Sequence, residues 1–138
     1  MSTARAPLRD MGAVFAGGVL GTAARYGLAL VIPSWGDLPL GTFVINVIGA
    51  FALGWLVEAL ARRGDDSGGR RTLRLFAGTG VLGGFTTYSA LAVDADGLLL
   101  ASQIGAGVLY GLATVVVGAA ASVAGIIVGA LVPRRGTS

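Results

Sequence analysis

Cysteine and histidine are absent from the 138 residues, and so is lysine: all ten basic residues are arginine. Without cysteine there is no disulfide and no thiol chemistry, and the redox compartment is not readable. Without histidine the usual metal ligand and the usual general base at neutral pH are missing. Charge is also scarce, at 12% of residues against 54% hydrophobic, about half the charged share of a soluble domain. That ratio argues against an ordinary water-soluble core. Ser89 and the threonines have no histidine to activate them, and no phosphate-binding or metal-ligand pattern occurs, so the chain reads as not an enzyme.

What is present is apolar length. A helix needs about 20 mostly apolar residues to cross a bilayer. Four stretches qualify: Met11 to Ile32, interrupted only by Arg25; Leu38 to Leu60, uncharged until Glu58; Leu73 to Val93, apart from Arg74 at its start rich in glycine and threonine; and Leu98 to Leu131. The last is longer than one crossing needs, so it tilts or its start near Gln103 lies in the interface. The first is too long for a signal-peptide core and lacks a clear small-residue cleavage site. Pro33 to Pro39, Arg62 to Arg71 and Asp94 to Gly97 read as the connecting loops. The expectation is one four-helix membrane domain, 1–138.

With four spans, the N-terminus, the second loop and the C-terminus share a side. That side holds Arg5, Arg9, Arg62, Arg63, Arg70, Arg71, Arg74, Arg134 and Arg135, whereas the opposite loops hold only Asp37, Asp94 and Asp96. Nine arginines against none predicts both termini on the cytoplasmic face of the plasma membrane. The arginines read as topology anchors, not as a nucleic-acid site.

Glycines recur four apart at Gly17/Gly21, Gly80/Gly84, Gly107/Gly111 and Gly125/Gly129. In lipid, small residues let helix backbones approach for dispersion contacts. Gly107, Gly111, Gly118, Gly125 and Gly129, at spacings of 4, 7, 7 and 4, form one stripe on the last span. Tight packing is the expected use. Four such thin helices scarcely enclose a pore alone, which points to an oligomer.

Polar groups at membrane depth each need a reason. Arg25 either snorkels to the outer interface or attracts anions. Asn46 is either interhelical glue or a donor of two N–H bonds to a passing anion. The run Gly78-Thr79-Gly80-Val81-Leu82-Gly83-Gly84-Phe85-Thr86-Thr87-Tyr88-Ser89 is poor material for a continuous helix. It reads either as a kinked packing helix or as a helix broken at mid-membrane, whose freed carbonyls hold a cation.

Gly41 to Phe51 (Gly-Thr-Phe-Val-Ile-Asn-Val-Ile-Gly-Ala-Phe) together with Gly83 to Ser89 (Gly-Gly-Phe-Thr-Thr-Tyr-Ser) resembles the CrcB/Fluc family of fluoride channels. Gly21 to Tyr26 (Gly-Thr-Ala-Ala-Arg-Tyr), and Tyr110 followed four residues later by Thr114, extend the match over all four spans in order. The resemblance implies an all-α membrane protein with the third helix broken, forming an antiparallel dimer with two pores beside a central structural sodium ion. By that correspondence backbone carbonyls of Gly83 and Thr86 are the sodium ligands. Asn46, Tyr88, Ser89, Leu91, Tyr110 and Thr114 are pore positions, with Ala90 beside Ser89. Arg25 is the vestibule arginine and Asp94 the acidic residue after the break.

The resemblance also exposes departures. The family carries phenylalanines where this chain has Tyr88 and Leu91; tyrosine keeps a ring edge with partial positive charge, but leucine has none. The one-sided arginine distribution favours a fixed orientation, and hence pairing with an oppositely inserted paralogue, one pore then being degenerate; an antiparallel dimer of the chain with itself stands beside it. The implied activity is passive export of cytoplasmic fluoride, conferring fluoride resistance. Two alternatives stand beside it. A small proton-coupled drug exporter would need a central carboxylate, for which Glu58 beside Arg62 is the one candidate. A non-conducting partner subunit would only support another chain's pore.

Overall fold

A computed structural model describes residues 5–133, with side chains from Leu8 onward. Arg134 and Arg135 of the basic bias lie outside the described residues, as does the side chain of Arg5. The described residues are helical and form no strand. The helices are α1 (Arg5–Val31), α2 (Leu40–Ala61), α3 (Gly68–Leu73), a π-helical segment (Arg74–Leu82), α4 (Gly83–Phe85), α5 (Tyr88–Leu100) and α6 (Ile104–Gly129). Residues 8–31 of α1, and α2 and α6 in full, are each long and apolar enough to cross a membrane. The stretch from Gly68 to Leu100 is the bent fourth.

Packing explains the bend. The π-helical segment and α4 lie along α1, whereas α5 lies along α6, and α2 packs most extensively on α6. The two halves of the third span therefore answer to different neighbours.

Glycine makes these contacts close. A Cβ on Gly17 would strike the Phe76 carbonyl, one on Gly21 the Val81 carbonyl, and one on Gly84 would come within 2.6 Å of the Gly18 carbonyl. The Gly17/Gly21 and Gly80/Gly84 pairs are thus two faces of a single contact. On the other side, Gly125 lies against the Phe51 carbonyl and Gly54 against the Ser122 carbonyl, joining α6 to α2. The expected continuous stripe on α6 is split, however. Gly107 faces Ala95 and Leu99 of α5, Gly125 and Gly129 face α2, and Gly111 and Gly118 have no atom within 4 Å of an added Cβ.

Boundaries differ from expectation in one informative place. The third span was expected to end at Val93 and the fourth to begin at Leu98, with a turn at Asp94–Gly97. Instead α5 runs through these residues to Leu100, and the chain turns at 101–103. Ser102, at φ 63, takes the left-handed position, its N–H bonds the Leu99 carbonyl, and the Gln103 N–H bonds the Leu98 carbonyl at 2.9 Å. That is a Schellman ending with serine where glycine is usual. The Asp-Ala-Asp-Gly sequence mimics a turn, while the real stop lacks the residue that signals one.

At the arginine-rich end, Arg71–Asp10 at 2.9 Å ties α3 to α1 and Arg74–Asp66 at 2.7 Å ties the π-helical segment to the loop before α3, while Arg62–Glu58 at 2.7 Å is a pair within the end of α2. Arg9 also donates to the Thr72 hydroxyl. The hydrogen bond from Arg74 and its charge hold the exposed Asp66 carboxyl below its ordinary value of 3.8.

Candidate functional site

The break itself is two residues long. Thr86 (φ −78, ψ 155) and Thr87 (φ −150, ψ 120) are both extended, so the helical ladder stops after Phe85 and restarts at Tyr88. Two β-branched residues following a glycine pair give the chain little reason to continue as helix. Each threonine then satisfies one of the exposed ends. The Thr86 hydroxyl and N–H both donate to the Leu82 carbonyl, at 2.9 and 3.0 Å. The Thr87 hydroxyl oxygen accepts from the Ala90 N–H at 3.1 Å, capping α5.

Asn46 of α2 closes the gap from the side. Its Nδ2 donates to the Thr87 carbonyl at 2.9 Å and its Oδ1 accepts from the Thr87 N–H at 2.8 Å. One amide side chain thus replaces both backbone partners that the break takes from Thr87. Of the two readings open for Asn46, the interhelical tie is observed, and one amide hydrogen remains beyond it.

The other side of the break is held from α1. Arg25 Nε donates to the Gly84 carbonyl at 3.2 Å, and the Thr22 hydroxyl reaches the same oxygen at 3.4 Å. The carbonyls of Gly83 and Thr86, expected as cation ligands, carry no hydrogen bond outside the regular helical ladder among the described residues. Gly83 lies in the last turn of the first half-helix, at its negative end, and Thr86 follows directly after that turn. Opposite them the N-terminus of α5 presents the N–H groups of Tyr88 and Ser89. A single interruption thereby makes an oxygen-rich end and a donor-rich end in adjacent positions.

A cleft of 340 Å³ opens beside the break between α2, α5 and α6, lined by Asn46, Thr86, Thr87, Tyr88, Leu91 and Thr114 among others. Four of the six expected pore positions therefore share one space. Tyr88 is 82% exposed at its edge, whereas Leu91 is 8% exposed and packs with Leu98 and Tyr110. Ser89 stands just outside, its hydroxyl 3.2 Å from that of Thr87.

The Thr114 hydroxyl is buried and donates to the Tyr110 carbonyl at 2.7 Å. Tyr110 is not part of this cleft: its hydroxyl donates to the Pro39 carbonyl at 3.0 Å and lies 3.5 Å from an Asp94 carboxylate oxygen. Glu58 pairs with Arg62 at the end of α2, not at mid-membrane.

Thr87 and Thr22 were not singled out from sequence. A threonine just ahead of an apolar run is the ordinary sign of a helix cap, so Thr87 was findable. Thr22 carried no such sign.

The family model described as CrcB-like protein, Camphor Resistance (CrcB), matches residues 12–126. The chain is 62% identical over 131 residues to fluoride-specific ion channel FluC 2 of Leifsonia xyli subsp. xyli, covering 94% of this chain and 90% of that protein. It is 49% identical over 110 residues to fluoride-specific ion channel FluC 1 of Cutibacterium acnes, covering 79% and 77%. With fluoride-specific ion channel FluC of Agrobacterium fabrum it shares 41% over 118 residues, covering 84% and 92%.

Proposed function

The chain belongs to the CrcB-like family, and from that premise we infer that it is a subunit of a fluoride-specific ion channel. The observation that carries the reading into chemistry is the cleft beside the Thr86–Thr87 break. Fluoride leaves a strong hydration shell when it enters a pore, so donors must replace water along its way. The second Asn46 amide hydrogen is one such donor. The hydroxyl pair of Thr87 and Ser89 shares a single hydrogen bond, so whichever of the two donates, the other retains an O–H for an anion. The first N–H groups of α5 add the positive end of a helix dipole. Tyr88 offers a ring edge. None of these contacts is multiply charged or chelating, which suits an ion that must also leave.

Sodium fits the opposite end of the break. Gly83 and Thr86 supply main-chain oxygens, the hard ligands such a cation takes, and the first half-helix points its negative end at them. One chain offers two oxygens, so a fuller shell calls for the same pair from a second, inverted chain. That supports an antiparallel dimer, with itself or with an oppositely oriented paralogue. Sodium held there supplies a fixed positive charge that offsets the desolvation of a nearby anion.

The arginine-rich end belongs at the cytoplasmic face by the positive-inside rule. A potential negative inside then contributes about 2.3 kcal/mol per 100 mV toward exit of each fluoride, so passive export needs no carboxylate relay and no nucleotide. The drug-exporter reading loses its one candidate, since Glu58 is tied to Arg62 at a helix end.

The test is fluoride efflux from liposomes holding the protein alone or with a paralogue of opposite arginine bias. Efflux in either preparation is expected; its absence in both would overturn the reading.

A further inference from the structure

We propose that Arg25 is a positioning residue that pins the broken helix, and that its donor geometry rather than its charge is what the fold uses. The inference builds on the channel reading above but is carried by the contact itself. Among the described residues, the Gly84 carbonyl is the oxygen of the half-helix end that side-chain donors of another helix reach, Arg25 Nε at 3.2 Å and the Thr22 hydroxyl at 3.4 Å. Both donors come from one turn of α1. That turn is pressed against the break because Gly21 has no side chain: a Cβ there would meet the Val81 carbonyl and come within 2.9 Å of the Phe85 nitrogen.

The break is consequently held at two points, one from each flanking helix. Asn46 fixes the Thr87 peptide from α2, and Arg25 fixes the Gly84 peptide from α1. Between them lie Phe85 and Thr86, whose φ and ψ set how the Thr86 oxygen is placed relative to that of Gly83. Releasing either tie frees the segment to refold toward continuous helix or to splay. An arginine that only drew anions by its field would have no reason to spend its Nε hydrogen on a carbonyl.

Two substitutions separate geometry from charge. In R25Q the glutamine Nε2 occupies the place of arginine Nε, one bond beyond Cδ, so the donor stays and the charge goes. In R25K the charge stays, but a methylene replaces Nε and the ammonium lies one atom further out. Amide hydrogen exchange of the 84–88 segment in purified full-length protein reads the tie directly and requires neither fluoride nor sodium.

Exchange at Thr86 and Thr87 is expected to stay near wild type in R25Q and to rise about tenfold in R25K. T22V, which deletes the longer bond, should raise it less than R25K does. Faster exchange in R25Q with wild-type exchange in R25K would overturn the proposal in favour of a charge effect. Unchanged exchange in R25K and T22V together would overturn it as well. Because wild-type efflux is scored separately, a failure of the channel reading would not be mistaken for a failure of this one.

Discussion

Replacing Asn46 removes both hydrogen bonds that hold the Thr87 backbone, at 2.9 and 2.8 Å, and leaves the N–H and carbonyl of that residue to the cleft beside the break. A net hydrogen bond contributes about 0.5–1.5 kcal/mol in water-soluble proteins, and membrane pairs average about 0.6 with a maximum near 1.7. Two bonds lost together predict a cost of about 1–3 kcal/mol. Asn46→Leu keeps the branched heavy-atom skeleton and removes the bonds, while Asn46→Ala adds a cavity and should cost more. Unfolding of the purified protein in mixed micelles, followed by tryptophan fluorescence, measures the loss. Stability of Asn46→Leu equal to wild type would refute the reasoning, because a side chain needed only by the passing ion has no effect on the resting fold. Loss of flux in Asn46 variants therefore does not by itself distinguish a conducting from a supporting subunit.

Tyr88 serves that purpose better, being 82% exposed. Tyr88→Ala should leave stability unchanged and cut fluoride efflux at least tenfold, with Tyr88→Phe close to wild type; equal flux in all three marks a supporting subunit. Thr87→Val removes the cap on the Ala90 N–H and should cost about 0.5–2 kcal/mol in the same unfolding assay. Gly125→Ala drives a methyl into the Phe51 carbonyl, whereas Gly118→Ala meets nothing within 4 Å. Gel filtration should show the first variant unfolded or aggregated and the second unaffected. Asp66, held below 3.8 chiefly by its hydrogen bond from Arg74, favours the folded state above that pH and ceases to as pH falls through its lowered value. Asp66→Asn should accordingly be the less stable form at neutral pH, with the difference closing below about pH 4.

Apolar length and glycine spacing made most of the architecture legible, because a bilayer requires both and little else in the chain competes with them. The break was legible in part: paired glycines and paired threonines are poor helix material, which left a kink and a break equally open until the family resemblance implied the break. The path of α5 past Asp94–Gly97 was not, since a serine does the work of the usual glycine at its end. Arg25 and Asn46 were visible as polar groups needing a reason, but the reason lay in partners 59 and 41 residues away. No local spacing encodes a side chain that bonds the carbonyl of another helix. Tyr110 shows the same limit: its hydroxyl bonds the Pro39 carbonyl 71 residues away.

Fluoride current across a planar bilayer under a fluoride gradient, with chloride as the opposing anion, tests the account most directly. A conducting break lined by Asn46, Thr87, Ser89 and Tyr88 predicts current that reverses at the fluoride equilibrium potential and collapses in Tyr88→Ala. Current that reverses at the chloride potential, or fluoride current indifferent to Tyr88→Ala, would contradict it.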